Sequence, residues 1–344
     1  MRMEPLDRYS RQIIFPGIGA EGQARLNAGF AVVVGCGALG TISAAALVRA
    51  GVGRVRVIDR DFIEPHNLPR QVLYTEQDIA DNLPKAEAAE RHLREADSQV
   101  QVEGVVADFN RVNAEELVGG AGVIVDGLDN FEALFLINDV ALKLGVPWVY
   151  GGAIASTGMT ATFLPGGKPC FRCLVQSAPV GGTLTCDTAG VVNAGPWMVG
   201  AMQASEALKV LIADERKAPV SRDLVVFDLW QRSFESLPLD GFADPDCPAC
   251  AGRYESLEGP PSTRITSLCG QNAVQIWDTT STGTPLEAIA ERLRALGPVS
   301  AGPHMIRFPV GEQELVVFYD GRTIVRGTRD QKLARALYAK YIGS

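Results

Sequence analysis

Between Phe30 and Gly152, short apolar runs alternate with longer stretches that keep polar residues on one side. FAVVV (30–34), RVRVID (54–59), QVQVEGVV (99–106), GVIVDGLDN (122–130) and VPWVYGG (146–152) have the length and β-branched content of strands. Between them, TISAAALVRA (41–50), Lys85 to Ala96 and FEALFLINDVALKLG (131–145) read as helices. This alternation predicts an α/β fold: a doubly wound, Rossmann-like parallel sheet with right-handed crossovers. Beyond residue 152 the rhythm changes. MTATFLP (159–165) and LVVFDLW (224–230) look like β segments around one helix, so antiparallel strands are expected to extend the sheet.

The longest apolar stretch, Ala194 to Ala213, holds Gln203, Glu206 and Lys209. Polar residues at that spacing predict one polar face on a packed helix and argue against a membrane span. SLEGPPST (256–263) reads as a linker. After it, NAVQIWD, PLEAIAERLRALG, HMIRFPV, ELVVFYDGRTIVRGT and DQKLARALYAKYIG predict a small α+β domain of order β-α-β-β-β-α, with a hairpin turn at the DG pair 320–321. The expected organisation is a large domain over 1–255 and a second over 264–344. A chain of 344 residues exceeds the usual span of a single core, which fits two domains.

A net charge of −8 argues against nucleic acid or an anionic membrane as the main partner. MRMEPLDRYSRQ has no apolar signal region, so a cytoplasmic location is expected. The chain has 7 cysteines, an odd number that includes two CxxC pairs, which favours a reducing compartment over a disulfide framework.

Gly35-Cys-Gly-Ala-Leu-Gly40 follows a strand and opens a helix. In that setting Gly35, Gly37, Ala38 and Gly40 let backbone N–H groups approach a phosphate at the helix N-terminus. Asp59 ends the next strand, where a carboxylate can accept ribose hydroxyls. These features predict an adenine nucleotide, and alone they favour a dinucleotide. The segment that follows shifts the balance. It carries Asp61, Asn67, Arg70, Gln71 and then Lys85. A triphosphate cut at its α-phosphorus needs such cations, because charge builds on the leaving pyrophosphate. Either cation alone reads more simply as a solvated surface group. Asp129, at the carboxyl edge of the sheet, suits a magnesium ion, and serves equally as a cap for the helix starting near Phe131.

Cys170-Phe-Arg-Cys173 and Cys247-Pro-Ala-Cys250 together supply four thiolates, the ligand set of a closed structural zinc site. Cys36 reads as filler within the glycine loop and Cys269 as a buried structural residue. Cys186, in GGTLTCDTAG (181–190), reads either as a nucleophile on a weakly structured loop or as passive. The neighbouring Asp187 works against a thiolate there.

Taken together, Arg8-Tyr-Ser-Arg-Gln12, GCGALG, Asp59, Asn67-Leu-Pro-Arg-Gln71, Lys85, Asp129-Asn130, the CxxC pairs and Cys186-Asp-Thr-Ala-Gly190 resemble the MoeB/ThiF adenylyltransferases. These are bacterial relatives of ubiquitin-activating enzymes. The resemblance spans about residues 8 to 252, and the trailing domain looks most like the ThiF branch that serves thiamine-thiazole synthesis. It implies ATP-dependent adenylation of the C-terminal carboxylate of a small ubiquitin-like sulfur carrier ending in Gly-Gly. A molybdopterin-synthase small subunit is the alternative carrier. It also implies that Asp59 binds ribose, that Asn67, Arg70 and Lys85 hold the triphosphate, and that Asp129, next to Asn130, positions Mg2+. Arg11 would reach the phosphates of a neighbouring subunit in a homodimer, and Cys186 matches a cysteine that links to the carrier in some members. Pro69 stands where the family usually has Gln, and Leu128 where it usually has Thr. An NAD-dependent oxidoreductase and a non-catalytic carrier-binding scaffold remain as rival readings.

Overall fold

The computed structural model describes residues 8–166, 168–177, 189–258, 264–268, 272–277, 285–302, 305–318 and 321–343. They fall into two compact units, one ending at Glu258 and the other beginning beyond it. The first unit is built on an 8-stranded sheet of order β3-β2-β1-β4-β5-β6-β7-β8. Its strands are β1 (Phe30–Val34), β2 (Arg54–Ile58), β3 (Gln101–Val105), β4 (Val123–Asp126), β5 (Trp148–Ile154), β6 (Thr157–Phe163), β7 (Asp223–Asp228) and β8 (Ser233–Pro238). Strands β1 to β5 pair in parallel, and β6 to β8 continue the sheet antiparallel, as the change of rhythm predicted.

Strand β1 is apolar throughout because both of its faces are covered. Val33 joins one core with Leu47, Val55, Leu93 and Val149, while Val32 and Val34 point into the opposite core with Ile58, Ile124, Ile137 and Trp148. The chain leaves β1 for β2 on one side, whereas β4 lies on the other. That reversal opens a crevice at the carboxyl ends of β1 and β4, the place where such sheets bind ligands.

The helix Ala194–Ile212 lies over β4, β5 and β6 and against the helix Gly40–Arg49. The reading of one polar face on this helix needs correcting. Gln203 is buried, and its Nε2 donates to the carbonyls of Asp126 at 2.6 Å and Val149 at 3.2 Å. Glu206 and Lys209 do pair with each other, at 2.6 Å.

The second unit carries a 6-stranded antiparallel sheet, order β11-β12-β13-β14-β10-β9. Its strands are β9 (Arg264–Leu268), β10 (Ala273–Trp277), β11 (Ser300–Ala301), β12 (Met305–Val310), β13 (Gln313–Phe318) and β14 (Arg322–Arg326). Leu286, Ile289 and Leu293 of the helix Leu286–Arg294, and Ala334 and Tyr338 of Gln331–Tyr341, share a core with Val274, Phe308, Leu315 and Val325. The expected order omitted β9, which directly follows the linker reading, and β11, which is too short to show a period. Cys269 and Asp320 lie outside the described residues.

Candidate active site

The glycine turn is shaped by close backbone packing at the mouth of the crevice. Gly35 N donates to the Ile58 carbonyl at 2.7 Å, and Gly127 N to that of Val34 at 2.8 Å, which ties the end of β1 to those of β2 and β4. Gly35 sits at φ +88°, and a Cβ on Gly40 would lie 1.9 Å from the Gly35 oxygen. No side chain fits there. The helix Gly40–Arg49 therefore starts hard against the turn, and its first N–H groups are bound by the turn itself: Thr41 N donates to Gly37 O at 3.1 Å, and Ser43 N to Leu39 O at 3.0 Å. Gly40→Ala is expected to destabilise the fold by more than about 1–3 kcal/mol. It should also abolish the stabilisation that a nucleotide bound at the turn would give; urea melts with and without nucleotide would measure both.

Asp59 is buried beneath this turn. Its Oδ2 accepts from Cys36 N at 2.6 Å and its Oδ1 from Asp61 N at 2.7 Å. The carboxylate thus fixes the loop, and each oxygen keeps a lone pair for a ribose hydroxyl. Burial raises the Asp59 carboxyl above its ordinary value, against the pull of Lys85. Cys36 contributes through its backbone: its carbonyl accepts from Tyr74 Oη at 2.8 Å. Burial pushes its thiol up to about 12, so the side chain is neutral filler.

Lys85 opens the helix Lys85–Ala96 and is nearly fully buried. Its Nζ lies 3.3 Å from Asp61 Oδ2, and its N–H donates to the Asp61 carbonyl at 2.8 Å. Burial alone would lower the ammonium's pKa, but Asp61, Asp59 and also Asp129 outweigh that and hold it above its usual value. The structure thereby brings Asp59, Asp61, Lys85 and Asp129 into one electrostatic group.

Asp129 itself is exposed. The helix Phe131–Leu144 is capped by Asn130, whose Oδ1 accepts from Ala133 N at 2.9 Å. The capping role considered for Asp129 belongs to its neighbour, which leaves the Asp129 carboxylate facing outward. Asp126, the last residue of β4, is buried three positions before Asp129. Its Oδ1 accepts from Leu128 N at 2.8 Å, and burial raises its carboxyl well above the usual range.

Asn67 is buried, and its Oδ1 accepts from Glu64 N at 2.9 Å, so part of its amide holds its own turn. Arg70 Nη1 donates to the His66 carbonyl at 2.6 Å. Gln71 lies under the glycine loop, with Nε2 3.9 Å from where a Gly37 Cβ would stand. Near the N-terminus, Arg8 pairs with Asp97 at 3.1 Å, Tyr9 Oη donates to Asp97 at 2.7 Å, and Gln12 Nε2 bonds the Ala50 carbonyl at 2.9 Å. Arg11, on the short helix Ser10–Ile14, faces outward with no polar partner among the described residues. It does not join Lys85 and Asp129 within this chain. Cys186 lies outside the described residues.

Cys170, Cys173, Cys247 and Cys250 converge with all four sulfurs within 4.8 Å of one another. Sγ–Sγ distances of 3.6 Å (Cys170–Cys247), 3.6 Å (Cys173–Cys250) and 3.9 Å (Cys170–Cys173) bracket the edge of roughly 3.8 Å expected for tetrahedral zinc–thiolate coordination. The residues fit a structural zinc ion. Among the described residues, no helix is long and apolar enough to cross a membrane.

Residues 9–249 match the ThiF family. A sulfur carrier protein ThiS adenylyltransferase from Bacillus subtilis is 43% identical over 338 residues, 98% of this chain and 99% of its own length. The SAMP-activating enzyme E1 of Haloferax volcanii is 42% identical over 255 residues, covering 74% of this chain and 92% of its own. Among solved structures, E. coli MccB with ATP has a TM-score of 0.60 at 22% identity, covering 71% of this chain and 74% of that one, a likeness of fold.

Proposed function

Because this chain belongs to the ThiF family, we propose that it adenylates the C-terminal glycine carboxylate of a small ThiS-like sulfur carrier, using ATP and Mg2+. The observation that carries this reading is the buried Lys85 ammonium set among Asp59, Asp61 and Asp129 beside the glycine turn. The near-complete overlap with the Bacillus subtilis relative, C-terminal unit included, favours the ThiS carrier over a molybdopterin-synthase subunit. Adenylation is assigned to residues 1–255, with 264–344 as a separate domain and the cytoplasm as the setting.

The carrier's terminal carboxylate attacks the α-phosphorus of ATP, the bond to the bridging oxygen breaks, and pyrophosphate leaves. A C-terminal carboxyl titrates at roughly 3.3–3.7, so the nucleophile is already ionised and no general base is needed. The site's task is to hold an anion against a polyanion. Glycine-loop N–H groups and the free lone pairs of Asp59 seat the nucleotide. Lys85, Arg70 and the Asn67 amide meet the phosphate chain. Asp129 would hold Mg2+, which neutralises charge on the phosphates when bound. Arg11, turned away from its own site on a segment pinned by Arg8, Tyr9 and Gln12, is assigned to the phosphates of a second copy in a homodimer. Cys186 is assigned to the step after adenylation, as the thiol that loses its proton and attacks the acyl-adenylate carbonyl, so that a thioester forms and AMP leaves. The four-cysteine cluster is assigned to structural zinc.

ATP–pyrophosphate exchange with purified ThiS-like and MoaD-like proteins, each ending in Gly-Gly, tests the proposal. Exchange should depend on the carrier and be faster with the ThiS-like one. ATP–Mg2+ should raise the melting temperature, by about 2.7 kcal/mol of stabilisation at 100 times Kd. Stabilisation by NAD in its place would move the chain to the oxidoreductase reading. Tight carrier binding without exchange would make it a scaffold.

A further inference from the structure

The loop that carries Arg70 is tied to the rest of the site at its outer edge. Within the turn, Arg70 N and Gln71 N both donate to the Asn67 carbonyl, at 3.1 and 3.0 Å. The carbonyls of Pro69 and Arg70 receive no backbone N–H among the described residues, and Pro69 has no N–H with which to brace the turn. Both carbonyls are met by residues around the start of the helix Ala194–Ile212. Asn193 Nδ2 donates to Pro69 O at 3.3 Å, and the indole Nε1 of Trp197 donates to Arg70 O at 2.9 Å.

This helix is a firm anchor. Val199, with Met198 and Met202, packs on Leu39 of the glycine turn, and Ser43 Oγ donates to the Gly200 carbonyl at 3.2 Å. Its approach is fixed too: Ala155 N donates to Gly190 O at 3.0 Å, and Val192 N to Ala155 O at 2.8 Å. One wall therefore holds both the phosphate-binding turn and, through Trp197, the backbone of the loop cation. Arg70's guanidinium rests on the His66 carbonyl, within its own loop. To engage a triphosphate it must leave that carbonyl, and its reach then depends on where its Cα is held.

We infer that Trp197 is a positioning residue for adenylation, whose indole N–H sets the Arg70 backbone so that the guanidinium meets the phosphate chain. This rests on the adenylyltransferase reading above. A hydrogen bond that aligns a transition-state contact acts mainly on turnover. Trp197→Phe keeps a large aromatic ring and loses only the donor. Its exchange kcat is expected to fall about three- to ten-fold, with the KM for ATP changing much less and the melting temperature falling by only about 2–4 °C. Trp197→His, which retains a ring N–H, should recover part of the rate. In an Arg70→Ala background, Trp197→Phe should cause no further loss, because the indole acts through the arginine.

Wild-type-like kcat for Trp197→Phe, or the same fold-loss with and without Arg70, overturns the inference. If Trp197→Phe melts early, Asn193→Ala removes the parallel donor from an exposed side chain and should show a smaller kcat loss that also vanishes with Arg70→Ala. Absence of exchange in the wild-type enzyme with every carrier would sink the adenylation reading itself, an outcome distinct from an active wild type with an indifferent Trp197.

Discussion

Replacing Lys85 is expected to reduce carrier-dependent pyrophosphate exchange by about two to three orders of magnitude, the size of effect seen when one preorganised charge-stabilising donor is lost. The reason lies in what surrounds it. Lys85 is the cation that Asp59, Asp61 and Asp129 all act upon. Without it, Arg60, whose Nε lies 3.7 Å from Asp61 Oδ1, would be left to balance these carboxylates against an incoming triphosphate. Binding and turnover should both suffer, so KM for ATP rises while kcat falls. Lys85→Met is the sharper variant because it keeps the aliphatic stem in its buried space. Its fold should survive, since the Asp61 side chain is 31% exposed and keeps Arg60 at 3.7 Å when Lys85 is gone. Unfolding curves without nucleotide check that point, and steady-state exchange checks the rest. Near-normal exchange by a folded Lys85→Met enzyme would remove this residue from the mechanism.

The expectation for Lys85 could be formed from sequence because its surroundings are local and punctuated. The helix Lys85–Ala96 begins immediately after Pro84, and β1 ends where Gly35 turns the chain, so both elements match the boundaries read from the pattern. Alternation of apolar runs with amphipathic ones reports burial directly, and the parallel half of the sheet followed from it. Strand β8 left no such trace. It is an edge strand with every residue exposed, so no face imposes a period on it. Gln203 misled for the converse reason. The helix Ala194–Ile212 is covered by the sheet on one side and by Gly40–Arg49 on another, so a polar residue there need not face water.

The placement of the candidate site residues was legible where residue type and position in a turn fix the local geometry: the glycines, Asp59 beneath them, Lys85 at its helix start and the cysteine pairs. It was illegible where a contact joins distant parts of the chain. Trp197 meets Arg70 across 127 positions, and no spacing rule connects an indole with a carbonyl that far away. Asp126 closes an apolar strand, VIVD, and a carboxyl in such a run was a signal in the sequence that the motif reading passed over. The cap on the helix Phe131–Leu144 fell one residue later than considered, because Asn130 has the extended backbone that lets its side chain turn back to Ala133.

The second large effect concerns the four cysteines, and it should appear in stability before activity. Cys170 and Cys247 stand 77 positions apart, so a metal joining them closes a long loop. Removing such a cross-link costs roughly 4 kcal/mol by chain-entropy reasoning, which for a unit of this size lowers the melting temperature by roughly 8–16 °C. The knuckle is also wedged into the core: Phe171 packs among Phe135, Trp148 and Phe163, and its N–H donates to Asn138 at 3.0 Å. That helix begins next to Asp129, so loosening at the cysteines reaches the site only through the fold. A strong chelator under reducing conditions, or Cys247→Ser, is therefore expected to lower the melting temperature by this amount. Exchange at low temperature should track the folded fraction. An unchanged melting temperature after chelation would mean that the thiols hold no metal. Loss of exchange while the protein remains fully folded would give the metal a chemical role that this geometry does not.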